Sequence, residues 1–419
     1  MKKIICVTVL IVLFSQCTGD DSTSSNDPDS SNLEVYTLSV GNDFFTTNSS
    51  GILYITNDEG EILGQEMLSN SQQASIEIEY DPNETYDATV YLETSTSGFQ
   101  YYFLNTYLDV PPGDFTIPGL TDSNPNDAEI TINITNVGGV LEVISTSTIM
   151  DVVSNPNNGG TYEFSGLMLA APGDYYIAVQ KTTEPFPRYV WLEDVAGNLT
   201  INVDFNTLPE ISNLTTVSLP PNNSSSFTVY GIKNGDPQGI DGIFHTLFYS
   251  SKTDGTSIYD AVVPTNLFNK YRLDARYSVS NDGIQYSYTS TNGTIPQTIP
   301  PVNLHFSVNS NTISNFSMIT QGNYDYFQTS FNYTNSTQQV VVFHYIFGAA
   351  ANTINFSKAQ LFDNILIGLP NIHSGILQPS ESYSLNNYSQ FSGYTDFLNA
   401  PWIYGPELLD NEFIESIAQ

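Results

Sequence analysis

Hydrophobic and polar residues alternate along much of the chain with the two-residue period of a half-buried β-strand. Ile130, Ile132 and Ile134 alternate with polar residues, and the same pattern recurs from residue 199 to 205. The stretch from Val340 to Phe347 is almost continuously apolar, which is typical of a central strand buried on both faces. These patterns predict an all-β protein.

Turn and helix patterns fit the same prediction. A Ser-Asn-Asp-Gly turn at residues 280–283 predicts a hairpin between the strands that flank it. Little helix is expected. A short helix is predicted at residues 358–367, and a longer one from Pro406 to Ala418, where apolar residues recur every four positions.

A short internal repeat indicates how the chain is divided. VPPGDFTI at residues 110–117 recurs as AAPGDYYI at residues 170–177. Both copies resemble the closing hairpin of transthyretin-like and other immunoglobulin-like β-sandwich modules, which span roughly 100 residues. The resemblance implies small sandwich modules at residues 34–120 and 121–208. A larger antiparallel β-sandwich or jelly-roll domain is then expected at residues 209–419.

The N-terminus carries the pattern of an export signal. Lys2 and Lys3 precede a largely apolar run that ends at Phe14, and Phe14-Ser15-Gln16-Cys17 resembles the lipobox of bacterial lipoproteins. The resemblance implies a signal peptide at residues 1–16 and fatty acyl chains, palmitate among them, on Cys17. An ordinary secretory signal is the alternative. Residues 17–33 are rich in Ser, Asn and Asp, which predicts a disordered acidic tether.

This pattern also predicts a location and a membrane partner. A lipid on Cys17 would hold the chain on the outer membrane. The acidic pair Asp20-Asp21 resembles export signals of lipoproteins displayed on the cell surface, and favours exposure there.

Charge excludes one class of partner. The formal net charge is −34, and no Lys or Arg occurs between Lys3 and Lys181. Nucleic-acid binding requires clustered basic residues, so no nucleic-acid partner is predicted. The one basic group, Lys270, Arg272 and Arg276, is interpreted as a solvated strand face that is countered by nearby acids.

Motifs for catalysis and metal binding are sparse. Known motifs for nucleophilic, zinc and phosphate chemistry do not occur, and no catalytic residue is predicted. A weak calcium candidate has oxygen-bearing side chains at alternating positions: Asp122, Asn124, Asn126 and Glu129. An Asx-rich turn between modules is the stronger interpretation. No cofactor is predicted, and calcium remains the alternative.

Aromatic residues are the last distinctive feature, with 27 Tyr, 24 Phe and 2 Trp. Pairs at strand spacing, such as Tyr324 and Tyr326, are interpreted chiefly as core. Residues 383–404 are different, because their aromatics lie among Gly, Pro and Asn, as binding loops do. Tyr394, Trp402 and Tyr404 are therefore the predicted ligand-binding residues.

The leading hypothesis is a non-enzymatic surface lipoprotein that binds extracellular glycan or another ligand. Its layout is similar to that of surface glycan-binding lipoproteins of starch-utilisation-type systems. The alternatives are a structural or adhesion protein that contacts other surface proteins and, as the weakest, a glycoside hydrolase that uses two acids.

Overall fold

The computed structural model describes residues 32–119, 126–146, 153–157, 160–171, 173–233, 245–264, 266–280, 283–369, 371–402 and 413–419. Within these residues the chain is all-β with little helix, as predicted.

The strands are given in chain order. The first fourteen are β1 (Leu33–Val40), β2 (Ser49–Asn57), β3 (Ile62–Leu68), β4 (Gln73–Glu79), β5 (Tyr86–Thr96), β6 (Phe99–Tyr107), β7 (Gly113–Ile117), β8 (Asn126–Thr135), β9 (Leu141–Thr146), β10 (Val153–Asn157), β11 (Thr161–Ala171), β12 (Gly173–Lys181), β13 (Arg188–Val195) and β14 (Leu199–Asp204). The next are β15 (Leu214–Ser218), β16 (Ser224–Ile232), β17 (His245–Lys252), β18 (Ile258–Val262), β19 (Lys270–Ser278), β20 (Gln285–Asn292), β21 (His305–Thr312), β22 (Asn315–Gln321), β23 (Tyr326–Asn335), β24 (Val340–Ala349), β25 (Thr353–Phe356), β26 (Gln378–Tyr388) and β27 (Phe413–Ala418). The helices are α1 (Ala359–Ile365) and α2 (Tyr394–Leu398), with 3-10 turns at Phe205–Thr207 and Ser374–Ile376.

Twelve strands form one mixed sheet, in the order β17-β16-β19-β20-β27-β26-β23-β24-β6-β5-β2-β3. Its neighbours are antiparallel except for β24 and β6, which run parallel. The smaller sheets are β4-β1-β7, β10-β11-β8-β14, β13-β12-β9, β15-β18 and β21-β22-β25. The large sheet thus joins strands from both sides of the predicted boundaries at residues 120 and 208, and those boundaries stay predictions.

The large sheet is covered on both faces where β2, β5 and β6 lie. Alternate residues of β5 point to opposite sides, as strand geometry requires. Val90 belongs to a core shared with β1, β4 and β7, whereas Tyr91 belongs to a core shared with β22 and α1. This part of the sheet is consequently the middle layer of three.

The sheets β10-β11-β8-β14 and β13-β12-β9 share a separate hydrophobic core. Ile130, Ile132 and Ile134 of β8 are fully buried in it, which confirms the strand that their spacing predicted. The opposite face of β12 contributes Tyr176 and Ala178 to another core, formed mainly by β16, β19 and the β15-β18 pair.

Several predicted elements are confirmed. The apolar run at residues 340–347 is β24, which lies inside the large sheet between β23 and β6. The hairpin around residues 280–283 is formed by β19 and β20. The short helix predicted at residues 358–367 is α1.

Two local predictions are wrong. Residues 413–418 are strand β27 and not helix, because their backbone pairs with β20 on one side and with β26 on the other. The remainder of that predicted helix, residues 403–412, lies outside the described residues. The Pro-Gly-Asp turns do not close hairpins, because β6 and β7 pair in different sheets, as do β11 and β12.

Candidate functional site

The parallel pair β6 and β24 is held in register by a buried polar chain. The hydroxyls of Thr89 and Thr106 lie 2.9 Å apart, and the Thr106 hydroxyl lies 2.9 Å from His344 Nε2. Burial lowers the pKa of His344 to about 3, so its ring is neutral here. A one-residue slip would exchange the two faces of a strand. The register therefore fixes Asn105 beside Tyr345 on the other face of the sheet.

That other face has a floor of aromatic rings. The floor consists of Phe103 and Tyr107 of β6 and of Tyr345 and Phe347 of β24, with Tyr107 directly opposite Phe347. The rings of Tyr107 and Phe347 are stacked with centroids 5.0 Å apart. Asn105 interrupts the row and places one amide among the rings.

A loop before β2 forms the first wall. The side-chain amide of Asn70 donates to the carbonyl oxygen of Phe45 (2.9 Å), and its oxygen accepts from the Phe45 N–H (2.7 Å). Gly51 lies beneath the Phe45 ring, and a Cβ at this position would come within 2.7 Å of the ring. Only glycine lets the ring approach β2 so closely. Phe44 and Phe45 both line the cavity that results.

The segment at α2 forms the second wall. The Trp402 ring stacks on Tyr107 at 4.1 Å and on Phe115 at 4.6 Å. Its indole N–H donates to the carbonyl of Leu398 at 2.8 Å. Phe397 stacks on Tyr326 at 3.9 Å. These contacts fix the wall to the core of the large sheet.

Between the walls lies a cavity of about 640 Å³, within the range of small-ligand sites. It is lined by Phe44, Phe45, Thr46, Ser49, Leu92, Glu93, Thr94, Phe103, Asn105, Tyr107, Tyr326, Gln328, Tyr345, Phe347, Tyr388, Phe397, Pro401 and Trp402. Among these described lining residues Glu93 alone is charged, and its carboxylate accepts from Gln100 Nε2 at 2.7 Å. The cavity is thus an aromatic site with scattered amides and hydroxyls.

The polar groups of the cavity can bind hydroxyls. Asn105 is only 7% exposed, and its amide faces the cavity without a hydrogen bond to another described side chain. Burial raises the pKa of both Tyr345 and Tyr388, so their hydroxyls stay protonated at neutral pH and can donate. Gln328 is half-buried and offers a second amide.

Of the three predicted binding residues, only Trp402 is among the described residues that line the cavity. Trp402 lines the cavity, although it is 2% exposed and packs mainly in the core. Tyr394 is absent from the described lining and lies behind it, where its hydroxyl donates to the carbonyl of Phe347 at 3.2 Å. Tyr404 lies outside the described residues.

The residues of the floor were not predicted from the sequence. They lie in β6 and β24, which are distant in sequence from residues 383–404: Phe103, Asn105, Tyr107 and Tyr345. The alternation of aromatics along β6 was the available sign, because such spacing puts rings on one face of a strand.

The calcium candidate is left untested. Asp122 and Asn124 lie outside the described residues, while Asn126 and Glu129 belong to β8. The Glu129 N–H donates to the side-chain oxygen of Asn198 at 2.8 Å. In the described part of the chain, no group of three His, Cys, Asp or Glu residues is placed to hold a metal.

The basic group lies on β19, where Arg272 Nε contacts Asp274 at 3.2 Å. Cys17 lies outside the described residues, so the lipid anchor stays a prediction. Across the described ranges, neither α-helix has the length and apolar character needed to span a bilayer.

Comparisons with known proteins give little further guidance. No protein-family model matches the chain, and the search of curated proteins found no match. Among solved structures, the Bacillus anthracis TIE protein is 11% identical with a TM-score of 0.13, over 80% of this chain and 73% of that one. Drosophila OTK extracellular domains 3–5 are 10% identical with a TM-score of 0.11, over 64% of this chain and 98% of that one. At these TM-scores neither likeness supports a structural or functional conclusion.

Proposed function

We propose that the chain is a non-catalytic glycan-binding protein whose binding site is the cavity between Phe45 and Trp402. The observation that carries the proposal is Asn105, a buried amide among aromatic rings that has no hydrogen bond to another described side chain. The amide faces the cavity, so a ligand hydroxyl can bind it without breaking a hydrogen bond between described residues.

Sugars match the two kinds of surface in the cavity. A sugar ring has apolar C–H faces that pack on aromatic side chains, and hydroxyls that bind amides and phenols. The rings of Phe103, Tyr345 and Phe347 supply the first kind of surface. Asn105 and Gln328 supply the second. Purely apolar ligands would leave both amides unpaired.

The lining favours binding over hydrolysis. Glycoside hydrolysis needs two carboxyl groups on either side of the scissile bond. The described lining holds one, Glu93, which is already bound by Gln100. This observation ranks the binding function above the hydrolase alternative.

We place this site in a lipid-anchored surface protein. The lipobox-like residues before Cys17 and the acidic tether support attachment to the outer membrane. The core shared by the β10-β11-β8-β14 and β13-β12-β9 sheets supports a small immunoglobulin-like sandwich at residues 121–208. The proposed module at residues 34–120 and the larger domain at 209–419 would share the large sheet.

Affinity electrophoresis of the full chain tests the proposal. The gels contain a panel of neutral and anionic polysaccharides, and the variants are Asn105→Ala and Tyr345→Ala. Tyr249→Ala is the matched control, because Tyr249 lies on edge strand β17 of the same sheet and is 63% exposed. We expect at least one polysaccharide to retard the wild type and the control, and both site variants to lose that retardation. The proposal is wrong if no polysaccharide retards the wild type, or if the site variants are retarded equally.

A further inference from the structure

The aromatic floor does not end at the cavity. Tyr101 of β6 continues the row with its ring 6.2 Å from that of Phe103 and nearly parallel to it, at 8°. Phe343 of β24 lies 5.4 Å from Phe103 at 12°. Neither Tyr101 nor Phe343 lines the cavity, and both are half-exposed.

These rings extend the apolar surface along the direction of the strands. Residues on one face of a strand are about 6.6 Å apart at two-residue spacing. Phe99 lies one further step along the row, with its ring 6.2 Å from that of Tyr101. A ligand seated in the cavity would therefore meet more rings if it were long enough to leave the cavity along β6 and β24.

The charge around this surface opposes an anionic ligand. No Lys or Arg occurs in β5, β6, β23 or β24, and the chain carries a net charge of −34. A carboxylate or sulfate placed on the rings would lose hydration and find no positive group on these strands. A neutral ligand avoids this cost.

We infer that the site takes a neutral, linear polysaccharide, with part of it in the cavity and the adjoining sugars on Tyr101 and Phe343. This inference rests on the proposed function and adds the charge and the shape of the ligand. It predicts several successive sugar-binding positions, so each added sugar should strengthen binding until the row of rings is filled.

Calorimetric titration with oligosaccharides of defined length tests the inference. The neutral probes are the cello-, malto-, laminari- and manno-oligosaccharides from disaccharide to hexasaccharide, and the anionic probes are oligogalacturonides of the same lengths. We expect the affinity for one neutral series to rise by about tenfold or more with length. The oligogalacturonides should bind more weakly at every length.

The variant Tyr101→Ala/Phe343→Ala separates this inference from the proposed function. We expect it to bind the shortest bound oligosaccharide as the wild type does and to lose the gain from added length, whereas Tyr249→Ala keeps both. The inference is overturned, with the proposed function intact, if affinity does not change with length, if the double variant keeps the gain, or if the oligogalacturonides bind as tightly. Absence of binding to any oligosaccharide or polysaccharide overturns both.

Discussion

Lys358 and Asp87 form a buried ion pair between residues that are far apart in the sequence. Lys358 Nζ lies 2.8 Å from Asp87 Oδ2, with the two side chains 3% and 1% exposed, and 2.9 Å from Asp58 Oδ1. The pair ties the start of α1 to β5, the strand next to β6 in the large sheet. The Asp109 N–H adds a 3.3 Å hydrogen bond to Asp87.

We expect Lys358→Ala to destabilise the fold strongly. Removal of one partner leaves a buried charge without compensation, which costs about 3–5 kcal/mol. Urea unfolding measures the change in the free energy of unfolding. Lys252→Ala is the control, because the Lys252 ammonium binds the carbonyl of Ile258 at an exposed position. Equal effects of the two substitutions would show that the buried pair is not important for stability.

The same pair predicts a pH dependence. Burial raises the pKa of Asp87 to about 6, although Lys358 acts in the opposite direction. The pKa of an aspartate in the unfolded chain is about 3.9. A raised pKa in the folded state means that ionisation of Asp87 disfavours folding. Its stabilising contribution is therefore complete below about pH 4 and is lost as the pH rises towards 6.

Comparison with Asp87→Asn isolates this contribution from the other carboxyl groups. We expect the wild type to lose stability relative to Asp87→Asn between about pH 4 and pH 6. Thermal unfolding across that range measures the difference. A difference that stays constant, or that changes in favour of the wild type as the pH rises, would contradict the raised pKa.

The C-terminal strand β27 is expected to hold the two halves of the large sheet together. It lies between β20 and β26, and Ile417 is fully buried in the core. Ile417→Ala should lower the free energy of unfolding by about 2–5 kcal/mol. Ile414→Ala on the same strand is the control and should cost less, since Ile414 is only half-buried. Similar costs at both positions, measured by urea unfolding, would argue against this arrangement.

β27 also shows what the sequence could and could not predict. Local patterns correctly gave β8 from its two-residue period, β24 from its apolar run and the β19–β20 hairpin from its turn residues. Residues 413–418 were wrongly predicted as helix, because Phe413 and Ile417 have helical spacing, whereas pairing with β20 and β26 determines the strand. The parallel pairing of β6 with β24 joins distant segments, and no local pattern encodes it.

The site was only partly predictable for the same reason. The cluster at residues 383–404 did contain wall residues such as Phe397 and Trp402. Asn105 had no distinguishing feature in the sequence, because its importance comes from burial among rings that other strands supply. An amide becomes a candidate ligand-binding group only when its surroundings are known.

The lipid anchor is tested by Cys17→Ser. The hydroxyl of serine cannot form the thioether to which the lipid is attached. We expect the wild type in the membrane fraction of the producing bacterium and the variant in the soluble fraction. Equal membrane retention of the two proteins, or an unmodified thiol at Cys17 by mass spectrometry, would contradict the anchor.

The most direct test of the glycan-binding site uses Trp402 as the reporter. The chain has two tryptophans, so Trp191→Phe leaves Trp402, which lines the cavity, as the single tryptophan, and it is excited at a wavelength that tyrosine does not absorb. The variant is titrated with the neutral polysaccharide that gives the strongest retardation in the gels. We expect a saturable change in Trp402 emission, which Asn105→Ala abolishes. An emission that stays constant while the same polysaccharide binds would contradict a binding site beside Trp402.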